Sequence, residues 1–200
     1  MNSFDKRAKS WDLVERRVQN ALNIAKAIEQ KIALNKSMHL ADLGVGTGLL
    51  SQVVSSKVGK ITGIDNSTAM LEQFLAKEFE CQKEALALDC NKELIEGSFD
   101  GVISSMTLHH IKDTQKLFDN LYDSIKSNGF IALADLVRED GSFHSDNTGV
   151  YHFGFDTNSL QEIAYKSGFR AIECEVISTI SKPHREFEVF LLTALKPALK

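Results

Sequence analysis

Hydrophobic positions change period along the chain. From Trp11 to Ile32, the residues Val14, Val18, Ala21, Ala25, Ile28 and Ile32 recur at spacings of three and four, with Arg16, Arg17 and Glu29 on other faces. That period predicts one amphipathic helix. Short apolar runs follow, separated by further helical stretches. Met38–Leu43 is a predicted strand, leading through a glycine-rich turn into a helix that reaches about Ser56. Lys60–Asp65 is a second strand, and Ser67 reads as the cap of a helix carrying Met70, Leu71, Phe74 and Leu75. Ala85–Asp89, Phe99–Ser105 and Gly129–Asp135 read as the third, fourth and fifth strands, with a helix over Thr114–Ile125 between the last two. Residues 139–154 are polar and aperiodic, the longest stretch without an element, and such stretches often carry function. Asp156 reads as the cap of a helix that stops at Gly168. Two strands, roughly 171–180 and 186–195, form a closing hairpin through Ser181, Lys182, Pro183, His184 and Arg185.

Strand and helix alternate five times before the hairpin. This order predicts an α/β fold with a doubly wound, mostly parallel sheet and one antiparallel strand. Ligands of such sheets sit beyond the C-terminal ends of the strands. Asp42, Asp65, Asp89 and Asp135 all fall at predicted strand C-termini. One such acid often only caps a loop; four on one rim point to a site.

Composition narrows the class. Two hundred residues, 43% apolar and 25% charged, suit one folded domain with a full core. The net charge of −4 offers no electrostatic case for binding nucleic acid or an anionic membrane. No apolar run approaches a membrane span, and the charged start Met1-Asn2-Ser3-Phe4-Asp5-Lys6-Arg7 does not read as a signal peptide. Cysteines at 81, 90 and 174 form no CxxC pair, so neither a disulfide framework nor a zinc site is indicated, and a reducing cytoplasm is expected.

The stretch Leu40-Ala41-Asp42-Leu43-Gly44-Val45-Gly46-Thr47-Gly48 carries the chemistry. Three glycines leave bare backbone against which a ligand can lie, and the following helix offers N–H groups. A glycine turn with an acid about 20 residues on suits a cofactor with a ribose diol. The spacing Gly44-x-Gly46-x-Gly48 brings the third glycine one residue earlier than the dinucleotide fingerprint does.

With Gly63-Ile64-Asp65-Asn66-Ser67, Leu88-Asp89, Ser98-Phe99-Asp100-Gly101-Val102 and Leu108-His109-His110-Ile111, the chain resembles the class I S-adenosylmethionine-dependent methyltransferases, in their small-molecule, UbiE-like branch. The resemblance runs from about residue 35 to the end. It implies a Rossmann-like seven-stranded sheet of order 3-2-1-4-5-7-6, S-adenosylmethionine as cofactor and S-adenosylhomocysteine as product. Gly44, Val45, Gly46 and Gly48 would lie along the methionine part of the cofactor and Asp42 would face its ammonium group. Asp65 would accept both ribose hydroxyls, and Asn66 and Met70 would lie near the adenine. Asp89 would accept from the adenine amino group, with the Cys90 N–H beside it, and Ser104, Ser105 and Met106 would pass the sulfonium. Asn66 departs from the family, which usually has an apolar residue there.

Methyl transfer is a direct displacement, so positioning supplies much of the rate and a base is needed only where the acceptor loses a proton. His110, His144 and His152 are the candidate bases, each weighed against a solvated loop histidine; His109 reads as a packed, structural histidine. Asp135, His144 and His152 match no standard metal-ligand spacing, and no metal is expected. Residues 1–34 are expected to form an N-terminal helical segment and 35–138 the cofactor core. Residues 139–155 would be the acceptor loop, and 156–200 the last helix and hairpin. Phe4 and Trp11 either close over the cofactor as a lid or pack the first helix onto the body.

Rival classes remain. Tyr122-Asp123-Ser124-Ile125-Lys126 matches the Y-x-x-x-K of short-chain dehydrogenases, although an i,i+4 pair on a helix is commonly only a surface pair. With prolines only at 183 and 197, the proline motifs of DNA methyltransferases are absent. A non-catalytic S-adenosylmethionine-binding protein stays open, since fold and cofactor do not establish chemistry. The expected partner is a small-molecule acceptor.

Overall fold

The computed structural model describes residues 4–183 and 185–198. His184 of the expected hairpin connection lies outside the described residues, as do residues 1–3 and 199–200. Seven strands form one sheet: β1 His39–Leu43, β2 Lys60–Asp65, β3 Gln82–Ala87, β4 Phe99–Ser105, β5 Ile125–Leu136, β6 Arg170–Lys182 and β7 Arg185–Leu195. Their order is β3-β2-β1-β4-β5-β7-β6, as the resemblance implies. The first five strands are parallel, and β7 runs antiparallel to both its neighbours.

The helices are α1 Glu15–Lys31, α2 Leu49–Val54, α3 Thr68–Ala76, α4 Thr114–Ser124 and α5 Thr157–Lys166. Because successive strand residues point to opposite faces, each strand serves two cores. Ala41, Leu43, Ile131 and Leu133 pack with Leu117, Phe118, Leu121 and Leu160 of α4 and α5. Leu40, Phe130, Ala132 and Ala134 pack on the other side with Ile24 and Ile28 of α1, Leu50 and Val54 of α2, and Phe74 of α3. Side-chain caps start three helices. Ser67 accepts from the Met70 N–H, Asp113 from Lys116 and Asp156 from Ser159, each satisfying a donor that the helix leaves open.

Two expectations need correction. The N-terminal segment is not one helix: a 3-10 helix over Asp5–Leu13 meets α1 at an extended Val14 with ψ of 97°. Side-chain anchors hold the 3-10 segment across the sheet's C-terminal rim: Asp5 accepts from Ser67 Oγ at 2.6 Å and Asp12 from Thr47 Oγ1 at 2.5 Å. The third strand is Gln82–Ala87, which places Asp89 beyond its end. The six-residue pairing with β2, from Lys60 to Asp65, sets those bounds against the apolar run.

Candidate functional site

A cavity of about 810 Å³ opens along the C-terminal rim, between the strand ends, the 3-10 segment, the first turns of α1 and the loop after β5. That volume is within the range of small-molecule sites. The carboxylates Asp42, Asp65 and Asp89 and the histidines His109, His110 and His144 all line it.

The turn after β1 forms the floor. Gly44, Gly46 and Gly48 all have positive φ, of 67°, 53° and 82°, which L side chains adopt only at a cost. Their roles differ. A Cβ at Gly46 would meet nothing within 4 Å, so this glycine keeps the cavity wall bare. A Cβ at Gly48 would stand 2.6 Å from Phe74, and Gly48 is not part of the wall. Its absent side chain serves the packing of α2 on α3, which corrects its expected place along the cofactor.

Asp65 ends β2 with both carboxylate oxygens held: Oδ2 accepts from the Gly46 N–H and Oδ1 from the Ser67 N–H, each at 2.8 Å. These bonds fix the carboxylate while leaving further lone pairs on both oxygens. Burial raises its pKa. Asp42 is more enclosed, at 2% exposure, and accepts from Ser51 Oγ at 2.6 Å. Burial pushes its pKa up to about 7, and Asp65 adds to that shift. Among the described residues no lysine or arginine forms a salt bridge with Asp42. A ligand ammonium is therefore the complement this carboxylate lacks. Asp89 is half-open and pairs with Lys92 at 2.8 Å, which keeps its pKa low. Cys90 packs its side chain against the core, and burial pushes the thiol up to about 12, so the backbone N–H is the group suited to a ligand.

Val45, Asn66, Met70, Ser105 and Met106 line the cavity. Met106 holds φ of 59°, an uncommon conformation for a non-glycine residue, at the end of β4. Ser104 does not reach the cavity. It is buried within β4 and donates to the Leu43 carbonyl at 2.7 Å, because strand alternation turns it away while Ser105 faces the opening.

The histidines divide similarly. His110 Nδ1 is 2.7 Å from the Gly149 carbonyl, which can only accept, so Nδ1 carries the proton and Nε2 the lone pair. Burial, with His109 beside it, lowers the His110 pKa to about 4. His144 is lowered to about 4 as well, by burial and then by His109, His110 and Lys182. His152 is a correction: it does not line the cavity. Its Nε2 lies 2.9 Å from the Ile111 carbonyl and its ring packs 5.0 Å from Phe155, which makes it a strut of the loop.

His109 is packed, as the sequence suggests, but it also touches the cavity and is bound to Asp135. Nδ1 stands 2.8 Å from Asp135 Oδ1. Burial alone would raise the Asp135 pKa; the charge of His109 and its hydrogen bonds outweigh that and hold it low. Among the described residues, no three metal-ligating side chains converge as a cation site. Tyr122 and Lys126 do not line the cavity. Tyr122 packs on Phe169 and Lys126 pairs with Asp100.

Some of the wall carries no sequence signal. Asn20, Arg16 and Arg17 of α1, and Lys182 at the end of β6, reach it. The Asp12–Thr47 bond also joins segments 35 positions apart that no motif links.

The residues present fit S-adenosylmethionine: a bare glycine turn, a fixed carboxylate for a vicinal diol, and an unpaired buried carboxylate for an ammonium group. Residues 41–133 match the family model of a methyltransferase domain. An uncharacterized methyltransferase of Schizosaccharomyces pombe is 33% identical over 143 residues, covering 62% of this chain and 50% of its own length. The putative methyltransferase in complex with the Trm112 methyltransferase activator of Haloferax volcanii has a similar fold. Its TM-score is 0.78 at 15% identity, covering 98% of this chain and 99% of that one. Phosphoethanolamine N-methyltransferase 2 of Haemonchus contortus, solved with S-adenosyl-L-methionine, gives a TM-score of 0.69 at 19% identity, covering 98% of this chain and 60% of that one. The chain spans about half the length of the curated relatives it matches. The domain match over residues 41–133, the named relatives and the sheet order make this chain similar to the class I S-adenosylmethionine-dependent methyltransferases, whose fold it shares.

Proposed function

We propose that this protein transfers a methyl group from S-adenosylmethionine to an oxygen or nitrogen atom of a small-molecule acceptor. The observation that carries the reading is one cavity lined by two kinds of group: the carboxylates Asp42, Asp65 and Asp89, and the imidazoles of His109, His110 and His144. The bound cofactor supplies an electrophilic methyl group. Asp65 and Asp42 orient the ribose and ammonium groups, and the Gly44–Gly46 backbone lets the chain approach closely. Ser105 and Met106 line the same cavity.

His110 is the base in this reading. Its Nδ1–H is held by Gly149, so the Nε2 lone pair is the side able to take an acceptor proton, and its low pKa keeps it neutral at physiological pH. His109, in the same turn, and Asp135, at the end of β5, are positioning residues. Residues 139–155, which bring His144 to the wall, form part of the acceptor pocket. The 3-10 segment acts as a lid, with Phe4 packed 5.3 Å from His110 and Trp11 on the cavity wall. Cys81, Cys90 and Cys174 are free thiols, which suits a reducing cytoplasm.

The test is a screen with methyl-labelled S-adenosylmethionine against pooled small metabolites, with S-adenosylhomocysteine release as readout. Label in a small molecule is the expected result. Cofactor binding without transfer to any pool would assign a non-catalytic role, and binding of NAD(P) in place of S-adenosylmethionine would refute the reading entirely.

A further inference from the structure

The acceptor end of the cavity has a basic wall. Arg16 and Asn20 stand one helical turn apart on α1, and Lys182 reaches the same cavity from the end of β6. The Lys182 ammonium lies 3.9 Å from the centre of the Phe143 ring, and Phe143 in turn packs edge-on against His144 at 4.8 Å. The charges act on one another: burial, then Arg16, lowers the Lys182 pKa, and Lys182 contributes to the low pKa of His144. Like charges gathered at a concave wall favour an anion there.

Neighbouring acids do not supply it. Among the described residues neither Arg16 nor Lys182 takes part in a salt bridge. Glu139, whose charge acts on Lys182, has one oxygen occupied by the N–H groups of Gly141, Ser142 and Phe143, at 2.8 to 3.2 Å. Asp146 accepts from the Thr148 N–H. Arg17 differs from Arg16: it stacks on Trp11 at 3.7 Å and donates to the Trp11 carbonyl, so it serves the lid.

Two buried polar atoms at this end also lack partners. Asn20 is 7% exposed with Oδ1 unpartnered, and His144 Nε2 is enclosed without a hydrogen bond. Such atoms are costly to bury unless a ligand satisfies them. The complement of two cations and two unpartnered polar atoms is an oxyanion with a hydroxyl or amine beside it.

We infer that the acceptor is an anionic metabolite whose carboxylate or phosphate is held by Arg16 and Lys182, with its hydroxyl or amine reaching Asn20 and His144. This rests on the methyl-transfer reading for the word acceptor, but the anion site stands on the geometry alone.

The test uses the full chain saturated with S-adenosylhomocysteine. Inorganic phosphate and succinate are titrated separately at constant ionic strength, with thermal denaturation and calorimetry as readouts. Saturable binding of at least one anion is expected; phosphate alone identifies a phosphate-bearing acceptor, and succinate alone a carboxylate. Arg16→Ala and Lys182→Ala are each expected to weaken that binding at least tenfold, with Arg16→Lys and Lys182→Arg retaining most of it. S-adenosylhomocysteine affinity is expected to stay within twofold in all four. Absence of saturable binding to the wild type overturns the inference, as does equal binding by the alanine variants. Loss of cofactor affinity in those variants also overturns it, by assigning the cations to the cofactor. Anion binding that depends on Arg16 and Lys182 in a protein without transferase activity would remove only the methyl-transfer reading. Methyl transfer to an acceptor without an anionic group would remove only this inference.

Discussion

His109 and Asp135 form a buried pair that joins the turn after β4 to the end of β5. The imidazole Nδ1 lies 2.8 Å from Oδ1, and the backbone N–H of the same histidine donates to Oδ2 at 3.1 Å. Asp135 is completely enclosed and His109 nearly so. Removing one partner strands the other in a low-dielectric site. Asp135→Ala is expected to cost about 3–5 kcal/mol of stability, measured by urea denaturation. A loss below about 1 kcal/mol would show that the pair does not hold this turn.

Asp65 ties β2 to the glycine turn as well as facing the cavity. Asp65→Asn keeps the shape but replaces two charge-assisted acceptors with a neutral amide. Affinity for S-adenosylhomocysteine is expected to fall at least tenfold by calorimetry, since a bond to a charged group contributes about 1.5–3 kcal/mol. Unchanged affinity would remove Asp65 from the ribose site.

The two non-wall and wall glycines separate stability from binding. Gly48→Ala places a methyl group against Phe74 and forces a positive φ, so a stability loss above about 1–2 kcal/mol is expected. Gly46→Ala meets no atom and carries only the conformational cost, about 1–2 kcal/mol, but fills the floor of the cavity. Its expected signature is lost cofactor affinity with a smaller fall in melting temperature. Equal effects on both quantities in the two variants would contradict the division.

Acidity acts with opposite signs on Asp42 and on the cavity histidines. Asp42 in the folded protein holds its proton up to about 7, against an ordinary value of 3.8. An ammonium-bearing ligand requires the ionised form, so S-adenosylhomocysteine affinity is expected to rise with pH and level off above about 7. Asp42→Asn should remove that dependence. In folding, the Asp42 contribution is present below 3.8 and lost as pH rises through about 7. His110 and His144 work the other way. Each protonates near 6.5 when unfolded but near 4 when folded, so the unfolded chain binds more protons between those values and their contribution falls on acidification. A turnover profile at saturating substrates without a step near 6.5 is expected. A step there that disappears in His110→Ala would show that this histidine titrates normally.

The lid reading predicts that Trp11→Ala or deletion of residues 1–12 weakens cofactor binding. Trp11 stacks under Arg17, and Asp12 links the segment to Thr47 of the glycine turn and to Lys77 at 2.7 Å. Calorimetry with S-adenosylhomocysteine is the measurement, and wild-type affinity in the truncated chain would leave the segment a mere packing element.

The glycine turn and the strand-end acid beside it were largely legible in the sequence because their determinants are local. Positive φ at Gly44 and Gly46, an acid closing a strand at Asp65, and a serine cap at Ser67 follow from short-range backbone geometry. Strand positions carried less. Ser104 and Ser105 are neighbours in sequence, yet the two-residue period of β4 sends one into the core and the other to the cavity. The pairing of β3 with β2, not the apolar run near it, decided where that strand ends.

By itself the sequence determined the alternation of elements, the class of the sheet and the residues of the glycine turn, since hydrophobic period and backbone sterics act over a few positions. Only the tertiary structure decided that Val14 breaks the first helix, that His152 faces the loop backbone, and that Arg16, Asn20, His144 and Lys182 share one wall. The His152–Ile111 contact spans 41 positions, and the wall joins the start of α1 to the end of β6, so these energies arise from burial and charge proximity that exist only once the chain has closed on itself.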